Sequence, residues 1–379
     1  MKKIYFDIAA TTPVDPKVAT LMSHVMTQTF GNPSSIHKFG QESHSVIERA
    51  RLQLANALYC EPGEIIFTGG GSESNNLVLQ GILKSGDHII TSAYEHPAIL
   101  NVVEALKVKG VEATLINPNK NGVVDCNDVI SAIQSNTKLI SIMAVNNELG
   151  TINPLAKLSE ISVENNILFH TDAVQMFGKL PIDLSEIHID FLSMSAHKLY
   201  GPKGVGALYI RQGNKLPAIL HGGGQENDLR PGTENIPGIA GFGLAAQLAT
   251  KKMVTNIKNI LELEKRFLSA LTEKDIEFTR HCNSHIPGLM NISFHHVQSK
   301  PLLMNLDMMG VAISAGSACT SGTLKASKVV LQLGVSEKLA SESVRISLGK
   351  LHSNDDVDYI IQKITELIPR LQKTSEINV

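Results

Sequence analysis

Short apolar runs alternate with amphipathic segments over the first 210 residues of the chain. The apolar runs at 65–67, 140–145, 167–169 and 191–194 have the length of buried strands. Between them lie stretches with apolar residues at helical spacing, such as the segment 41–59. Such alternation is typical of βαβ units, which form a mainly parallel sheet covered by helices. The expected fold class is therefore α/β.

The pattern changes after residue 235. A long helical region over 236–274 is followed by strand patterns and helical patterns in mixed order. The predicted strands lie at 276–278, 289–294 and 344–348, and the predicted helices lie at 302–309, 329–333 and 355–371. These predict a smaller α+β domain in the C-terminal part. The expected division is a large domain over 15–255 and a small domain formed by 1–14 and 256–379.

Polar side chains follow two of the predicted strands, at the end where ligands bind in an open parallel sheet. Asp172 comes just after the run 167–169, and Lys198 comes just after 191–194. Pyridoxal phosphate (PLP) needs a lysine for a Schiff base and a carboxylate against its ring nitrogen. Each residue alone is more often a cap or a loop residue. The PLP interpretation depends on their combination.

Three neighbours of this pair suit the same cofactor. Gln175 could donate a hydrogen bond to the phenolate oxygen, Ser195 could hold a phosphate oxygen, and His197 could shape the surroundings of the lysine. A glycine turn at 69–71 with Ser72 opens a predicted helix, and such a turn offers backbone N–H groups to a phosphate. The turn matches neither the P-loop nor the dinucleotide-binding pattern.

Further polar residues stand at strand ends or on strands. His96 could stack on a flat ring or merely cap a helix, and Asn147 could bind cofactor or substrate. Arg345 either extends to solvent or binds a carboxylate with two hydrogen bonds. Cys319 lies in the small-residue stretch 313–323, for which we predict a mobile, exposed loop with a reactive thiol.

Composition narrows the ligand and the compartment. The chain has 379 residues, with 34 Lys and Arg against 36 Asp and Glu, and its four cysteines show no CxxC or zinc-type spacing. The balanced charge argues against nucleic acid or an anionic membrane as the main partner, so a small ligand is expected. No metal site, no membrane span and no leader are expected, which indicates a cytoplasmic protein with reduced thiols.

Several motifs in order resemble those of one family. They are Ala9-Ala10-Thr11-Thr12-Pro13, Gly31-Asn32-Pro33-Ser34-Ser35, Asn146-Asn147-Glu148-Leu149-Gly150, Ser195-Ala196-His197-Lys198, Arg230-Pro231-Gly232-Thr233 and Ser317-Ala318-Cys319-Thr320-Ser321. Over essentially its whole length the chain resembles the cysteine desulfurases of the NifS/IscS group, in the class V branch of fold-type I PLP enzymes. The resemblance implies a seven-stranded type of sheet in the large domain.

The resemblance also implies roles for single residues. Lys198 would be the Schiff-base lysine and proton acceptor. At the ring, Asp172 would contact the nitrogen and Gln175 the phenolate oxygen, with His96 stacked on the ring and Asn147 beside it. The phosphate would be held by Gly71, Ser72, Ser195 and His197. Thr233 would reach the phosphate of a neighbouring subunit, which implies a homodimer. Arg345 would bind the substrate carboxylate, with Asn147 nearby, and Cys319 would take the sulfur.

The implied reaction removes sulfur from L-cysteine, leaving alanine and a persulfide on Cys319, which passes sulfur to an acceptor for iron–sulfur clusters, a thio-cofactor or tRNA. Three features depart from the family pattern. Gly71-Ser72 stands where Ala-Thr or Gly-Thr is common and keeps the hydroxyl, and Lys325-Ala326 stands where Glu-Pro is common, which bears on loop stiffness or partner contacts. The end at Val379 without a longer tail makes a NifS-like role or a different acceptor as plausible as the housekeeping role. Alternatives are a class V aminotransferase, selenocysteine lyase or cysteine-sulfinate desulfinase activity, and a silent sulfur-transfer scaffold.

Overall fold

The computed structural model describes residues 2–282, 284–316 and 326–377, with side chains described up to residue 373. Cys319 lies outside the described residues. Of the stretch 313–323, predicted as an exposed loop, only 313–316 is described, and there Ser314 and Gly316 are buried and Ser314 forms a β-bridge with Arg345. The strands are β1 (Ile4–Tyr5), β2 (Ile65–Thr68), β3 (His88–Ser92), β4 (Glu112–Ile116), β5 (Thr137–Ser141), β6 (Leu168–Asp172), β7 (Phe191–Ser195), β8 (Gly206–Ile210), β9 (Phe278–His281), β10 (Leu289–Phe294), β11 (Val311–Ala312) and β12 (Ser343–Ser347).

The α-helices surround these strands. They are α1 (Pro16–Gln28), α2 (Lys38–Leu58), α3 (Gly71–Ile82), α4 (Pro97–Val108), α5 (Cys126–Ser131), α6 (Leu155–Glu164), α7 (Ile236–Glu273), α8 (Ser299–Met308), α9 (Lys328–Leu331), α10 (Glu337–Ser341) and α11 (Asn354–Ile377). Short 3₁₀ turns lie at Pro62–Glu64 and Ala196–Lys198. No helix of the described residues is long and apolar enough to cross a membrane.

The central sheet has seven strands in the order β2-β8-β7-β6-β5-β3-β4. All its pairs are parallel except those of β8, which runs antiparallel to both β2 and β7. Helices pack on both faces, so β3 and β7 are buried along their whole length. The predicted α/β class with a mainly parallel seven-stranded sheet is confirmed.

The chain order reverses between β5 and β3. Strand β4 lies on one side of β3, and the chain then crosses to the other side to form β5, β6 and β7 in turn. At such a switch point the loops after neighbouring strands diverge and leave a crevice at the carboxyl ends. His96 follows β3 and Asn147 follows β5, so both flank this crevice.

A second core lies in the C-terminal part. Strands β9, β10 and β12 form an antiparallel sheet in the order β12-β10-β9, and β1 pairs in parallel with β11. The long helix α7 joins the two cores, because Phe242 near its start packs in the large core and Phe267 near its end packs in the second. The division at residue 255 stays a prediction.

Some elements differ from the sequence-based expectation. The strand predicted at 276–278 lies at Phe278–His281, and the whole of α6 was not predicted. Two of the buried positions of α6 are Ser159 and Ser162, whose hydroxyls donate to the carbonyls of His188 and Ser159. Since these hydroxyls find acceptors inside the protein, buried positions carry polar residues and the apolar periodicity is weak.

Candidate active site

A cavity of about 310 Å³ lies at the carboxyl ends of β3, β5, β6 and β7. The structure brings ten of the predicted site residues to its wall: Gly71, Ser72, His96, Asn147, Asp172, Gln175, Ser195, His197, Lys198 and Arg345. Thr233 is exposed and is not among the lining residues of this single chain. Gly316 also lines the cavity, three positions before Cys319 in the sequence.

Asp172 is the last residue of β6 and is held by two donors. Its Oδ2 accepts a 2.7 Å hydrogen bond from Nδ2 of Asn75, and its Oδ1 accepts a 3.0 Å bond from the N–H of Val174. Only 6% of the residue is exposed. The pairing of Asp172 with Ser193 of β7 fixes the backbone beneath it. The carboxylate therefore has a fixed position and orientation in the cavity wall.

The glycine turn forms a corner beside this carboxylate, where the backbone N–H groups at the start of a helix are presented. Residues 69–71 lead into α3, and the first N–H groups of a helix have no acceptor within the helix. A Cβ atom on Gly71 would lie 2.6 Å from Cγ2 of Val174, and one on Gly206 would lie 2.6 Å from Cα of Gly70. The backbone thus approaches the cavity and β8 more closely than larger residues allow. Ser195 lines the same corner.

His197 lies in this corner as a neutral side chain. Its Nδ1 is 3.1 Å from Oγ1 of Thr11. Burial, with the nearby cations of Lys198, Lys203 and Lys179, lowers the pKa of His197 to about 4. The imidazole is therefore uncharged at neutral pH and acts there as a hydrogen-bonding group.

Lys198 ends the 3₁₀ turn after β7 and contacts the N-terminal arm. Its Nζ donates to the carbonyl oxygens of Ala9 and Ala10 at 2.5 and 2.8 Å. The hydroxyl and N–H of Thr12 donate to the carbonyl of His197. The structure thus places the backbone of this N-terminal segment against the lysine.

Gln175 and His96 each have partners that the sequence did not specify. Nε2 of Gln175 donates to the carbonyl of Ala9 at 2.8 Å, and its Oε1 accepts from Nζ of Lys179 at 2.9 Å. His96 is the N-cap of α4, where its Nδ1 accepts the N–H of Ala98 at 3.1 Å. His96 is also exposed and lines the cavity, so it caps the helix, and its stacking on a flat ring stays a prediction.

Arg345 on β12 forms the opposite side of the cavity. It is 4% exposed, so the alternative in which it extends to solvent is wrong. Its two terminal nitrogens donate to Oδ1 of Asp7 at 2.8 Å and to the carbonyl of Asn147 at 2.9 Å. Its buried Nε has no acceptor within the described part of the chain. The guanidinium therefore has a fixed position at the cavity, and its Nε–H group is available to a further acceptor.

Sequence reasoning missed four residues at or beside the site. Asn75 orients Asp172, and Asp7 orients Arg345. In the sequence, each is distinguished only as a polar residue close to a recognised motif. Lys179 contacts Gln175. Oε2 of Glu148 accepts from the hydroxyl of Ser327 at 2.6 Å, and burial raises the pKa of Glu148. Since Gly316 and Ser327 flank residues 317–325, the cavity wall holds the residues beside that segment.

Comparison with known proteins gives one consistent result. The family model "Aminotransferase class-V" matches residues 4–360. A protein named "Cysteine desulfurase IscS" from Dictyoglomus turgidum is 42% identical over 380 residues, covering 99% of this chain and 96% of that protein. A protein of the same name from Methanosarcina thermophila is 42% identical, covering 99% and 94%.

Solved structures give the same grouping. A structure titled "NIFS-LIKE PROTEIN" superposes with a TM-score of 0.92 at 34% identity, covering 98% of this chain and 100% of that one. Another, titled "SspA in complex with cysteine", has a TM-score of 0.82 at 36% identity, covering 91% and 98%. The likeness extends over both cores and is not confined to the cavity.

Proposed function

Because this chain belongs to the class-V aminotransferase family, and within it to the cysteine desulfurases, we propose that it removes sulfur from L-cysteine with the help of PLP and collects it on Cys319. The products are L-alanine and a persulfide. The observation that carries the proposal is a single cavity in which a fixed carboxylate, a lysine, the corner formed by the glycine turn and a buried guanidinium meet.

The residues present fit PLP in charge, shape and number. Asp172 would hold the ring nitrogen, and Gly71, Ser72, Ser195 and His197 would hold the phosphate. Gln175 would face the phenolate oxygen, His96 would stack on the ring, and Asn147 would lie beside the cofactor. When bound through Lys198, PLP supplies an electron sink for the bonds of the substrate α-carbon. The missing Cβ of Gly71 lets the first turn of α3, with its free N–H groups, pack closely against Val174 in the cavity wall.

Arg345 would bind the carboxylate of cysteine. A guanidinium matches a carboxylate with paired hydrogen bonds, and Arg345 has an Nε donor without an acceptor in the described structure. Asp7 restricts the guanidinium to one orientation. A substrate held in this way would present its α-carbon to Lys198 on the neighbouring wall.

Lys198 and Cys319 would divide the chemistry. Lys198 Nζ takes the α-proton of the bound substrate and returns a proton to the product. The Cys319 thiolate attacks the substrate sulfur, so an S–S bond forms as the C–S bond breaks and the former Cβ gains a proton. Cysteine and an enzyme thiol thus become alanine and an enzyme persulfide, with no external oxidant or reductant.

The persulfide would pass to an acceptor, either an iron–sulfur scaffold or a protein serving thio-cofactor or tRNA synthesis. Thr233 is exposed, which suits contact with the phosphate of a second subunit, so we propose a homodimer. A cytoplasmic location likewise stays a prediction.

The test is sulfide and alanine release from L-cysteine in the presence of a thiol reductant. Cys319→Ala should keep the yellow colour of bound PLP and lose sulfide release. Cys60→Ala is the matched control, because burial raises the pKa of the Cys60 thiol to about 12 and the residue lies outside the cavity. Sulfide release that survives in Cys319→Ala would contradict the thiol mechanism and favour a lyase or an aminotransferase.

A further inference from the structure

Lys179 is a lysine beside the site to which the proposed mechanism gives no task. It follows Gly178, which has a φ of 75°, in the turn after β6. Its Nζ donates to Oε1 of Gln175 at 2.9 Å. A second, narrow cavity of about 70 Å³ is lined mainly by apolar side chains, and both Lys179 and Lys198 border it. The two lysines therefore border one largely apolar cavity, and the amine of Lys198 also donates to the carbonyls of Ala9 and Ala10.

The contact with Lys179 determines how the amide of Gln175 is turned. An ammonium group can only donate and a carbonyl oxygen can only accept. Oε1 must therefore face Lys179, and Nε2 must face the carbonyl of Ala9, which lies 2.8 Å away. Nε2 carries two hydrogens, so one remains for an acceptor in the cavity that Gln175 lines. Without Lys179 the amide could turn by 180° and present its oxygen instead.

Lys179 also acts on Lys198, through its charge. Burial, followed by repulsion from Lys198 and Arg345, lowers the pKa of Lys179 to about 7. Repulsion between two cations is mutual, so protonated Lys179 disfavours protonation of Lys198. His197 lies near both lysines, and its lowered pKa leaves it neutral at pH 7.

Two of the other cations nearby are already paired, and the carboxylate of Asp172 lines the cofactor cavity together with Lys198. Arg345 is paired with Asp7 at 2.8 Å, and Lys350, which borders the narrow cavity, is paired with Asp15 at 2.6 Å. Tyr200 borders the same cavity, and burial raises the pKa of its phenol to about 12, so it stays neutral. Within the described residues, the charges that act on Lys179 are those of Lys198 and Arg345, and both are positive.

We propose that Lys179 is a positioning residue of this active site, which turns the Gln175 amide so that Nε2 faces the cofactor cavity and, through its charge, favours the unprotonated form of the Lys198 nitrogen. The inference rests on the proposed function, since it assumes that Lys198 and Gln175 act on PLP. It adds a second lysine to the site and assigns it two separable effects, one through a hydrogen bond and one through charge.

Three substitutions separate the two effects in the PLP-loaded enzyme without substrate. Lys179→Met removes donor and charge, Lys179→Gln keeps a donor without the charge, and Lys179→Arg keeps both. We expect the pH midpoint of the PLP absorbance change to rise by roughly one unit in Lys179→Met and Lys179→Gln and to stay in Lys179→Arg. The wavelength of the absorbance maximum should shift only in Lys179→Met. Lys363→Met is the control, because Lys363 is a partly buried lysine on α11 paired with Glu366.

A midpoint equal to that of the wild type in both Lys179→Met and Lys179→Gln would overturn the inference, and so would an equal rise in Lys363→Met. If Lys179→Met does not fold, Lys179→Gln against Lys179→Arg decides the charge effect. Sulfide release is measured separately on the wild type. A wild type that releases no sulfide, together with a raised midpoint in the variants, would contradict the desulfurase function and leave the role of Lys179 standing.

Discussion

Two walls of the cavity are built in different ways. The strand-end wall consists of Asp172, Ser195 and the glycine turn, which lie at the ends of β6, β7 and β2 in one sheet. The arm wall consists of the segment 7–10 and Arg345, which are more than 330 residues apart in sequence and meet through an ion pair. The first wall follows from the sheet, whereas the second exists only when both ends of the chain come together.

This difference suggests a division of work. The strand-end wall carries the groups that fit the constant parts of PLP, its ring nitrogen and its phosphate. The arm wall carries the groups that would meet the substrate, and Lys198 connects the two because it follows β7 and donates to Ala9 and Ala10. Damage to the first wall should therefore weaken cofactor binding and turnover, and damage to the second should mainly raise the KM for cysteine.

The largest effect is expected from Asp172→Asn. The amide keeps the shape but removes the charge that would hold a proton on the ring nitrogen, and it places an amide against Asn75. We expect kcat to fall by at least ~100-fold, comparable to loss of one member of a buried charge pair, with a changed PLP absorbance spectrum. Steady-state kinetics and spectra at saturating PLP measure both. A change in KM alone would contradict the division of work.

Arg345→Lys should have a smaller and different effect. Lysine keeps the charge but cannot hold Asp7, the carbonyl of Asn147 and a carboxylate together. The KM for cysteine should rise roughly 10- to 100-fold, the value of one or two charged hydrogen bonds, while the spectrum without substrate stays unchanged.

Asp7→Asn should raise KM only several-fold, because it loosens the guanidinium without removing it. An altered cofactor spectrum in either variant would indicate that the walls are not independent.

Gly71→Ala tests the packing of the strand-end wall. The new Cβ would lie 2.6 Å from Cγ2 of Val174, so this variant should be less stable by about 1–3 kcal/mol. Val174→Ala removes that methyl group, and the double variant should recover most of the loss. Chemical denaturation of the four proteins gives the coupling energy. Additive effects would show that the two residues do not compete for space.

Acid pH should weaken the strand-end wall through His170, which lies on β6 between the hydroxyls of Ser141 and Ser193. Burial lowers its pKa from 6.5 to about 3. Between these values the unfolded chain binds a proton that the folded protein does not, so stability falls as pH drops below 6.5. At pH 5 the proton bound by the unfolded chain lowers the free energy of unfolding by about 1–2 kcal/mol. His170→Gln should give a flatter dependence of unfolding free energy on pH, and an unchanged slope would exclude this source.

The strand-end wall could be predicted from the sequence because strand ends, a glycine turn and a strand-following lysine are local patterns. Asp172, Lys198 and Gly71 were identified in this way and line one cavity. The arm wall could not be predicted from local patterns. The contacts of Asp7 with Arg345 and of Ala9 with Lys198 depend on tertiary packing, and Asn75 and Lys179 act through neighbours on other segments. Serines at buried positions hid α6 for a similar reason, since Ser159 finds its acceptor in the distant carbonyl of His188.

The most direct measurement is a single turnover without reductant. The PLP-loaded protein is mixed with L-cysteine, alanine is quantified, and the mass of the peptide that contains Cys319 is determined. The account predicts one alanine per chain and one added sulfur atom on Cys319, with no added sulfur on Cys60. Alanine formed without sulfur on Cys319, or sulfur found on another cysteine, would contradict it.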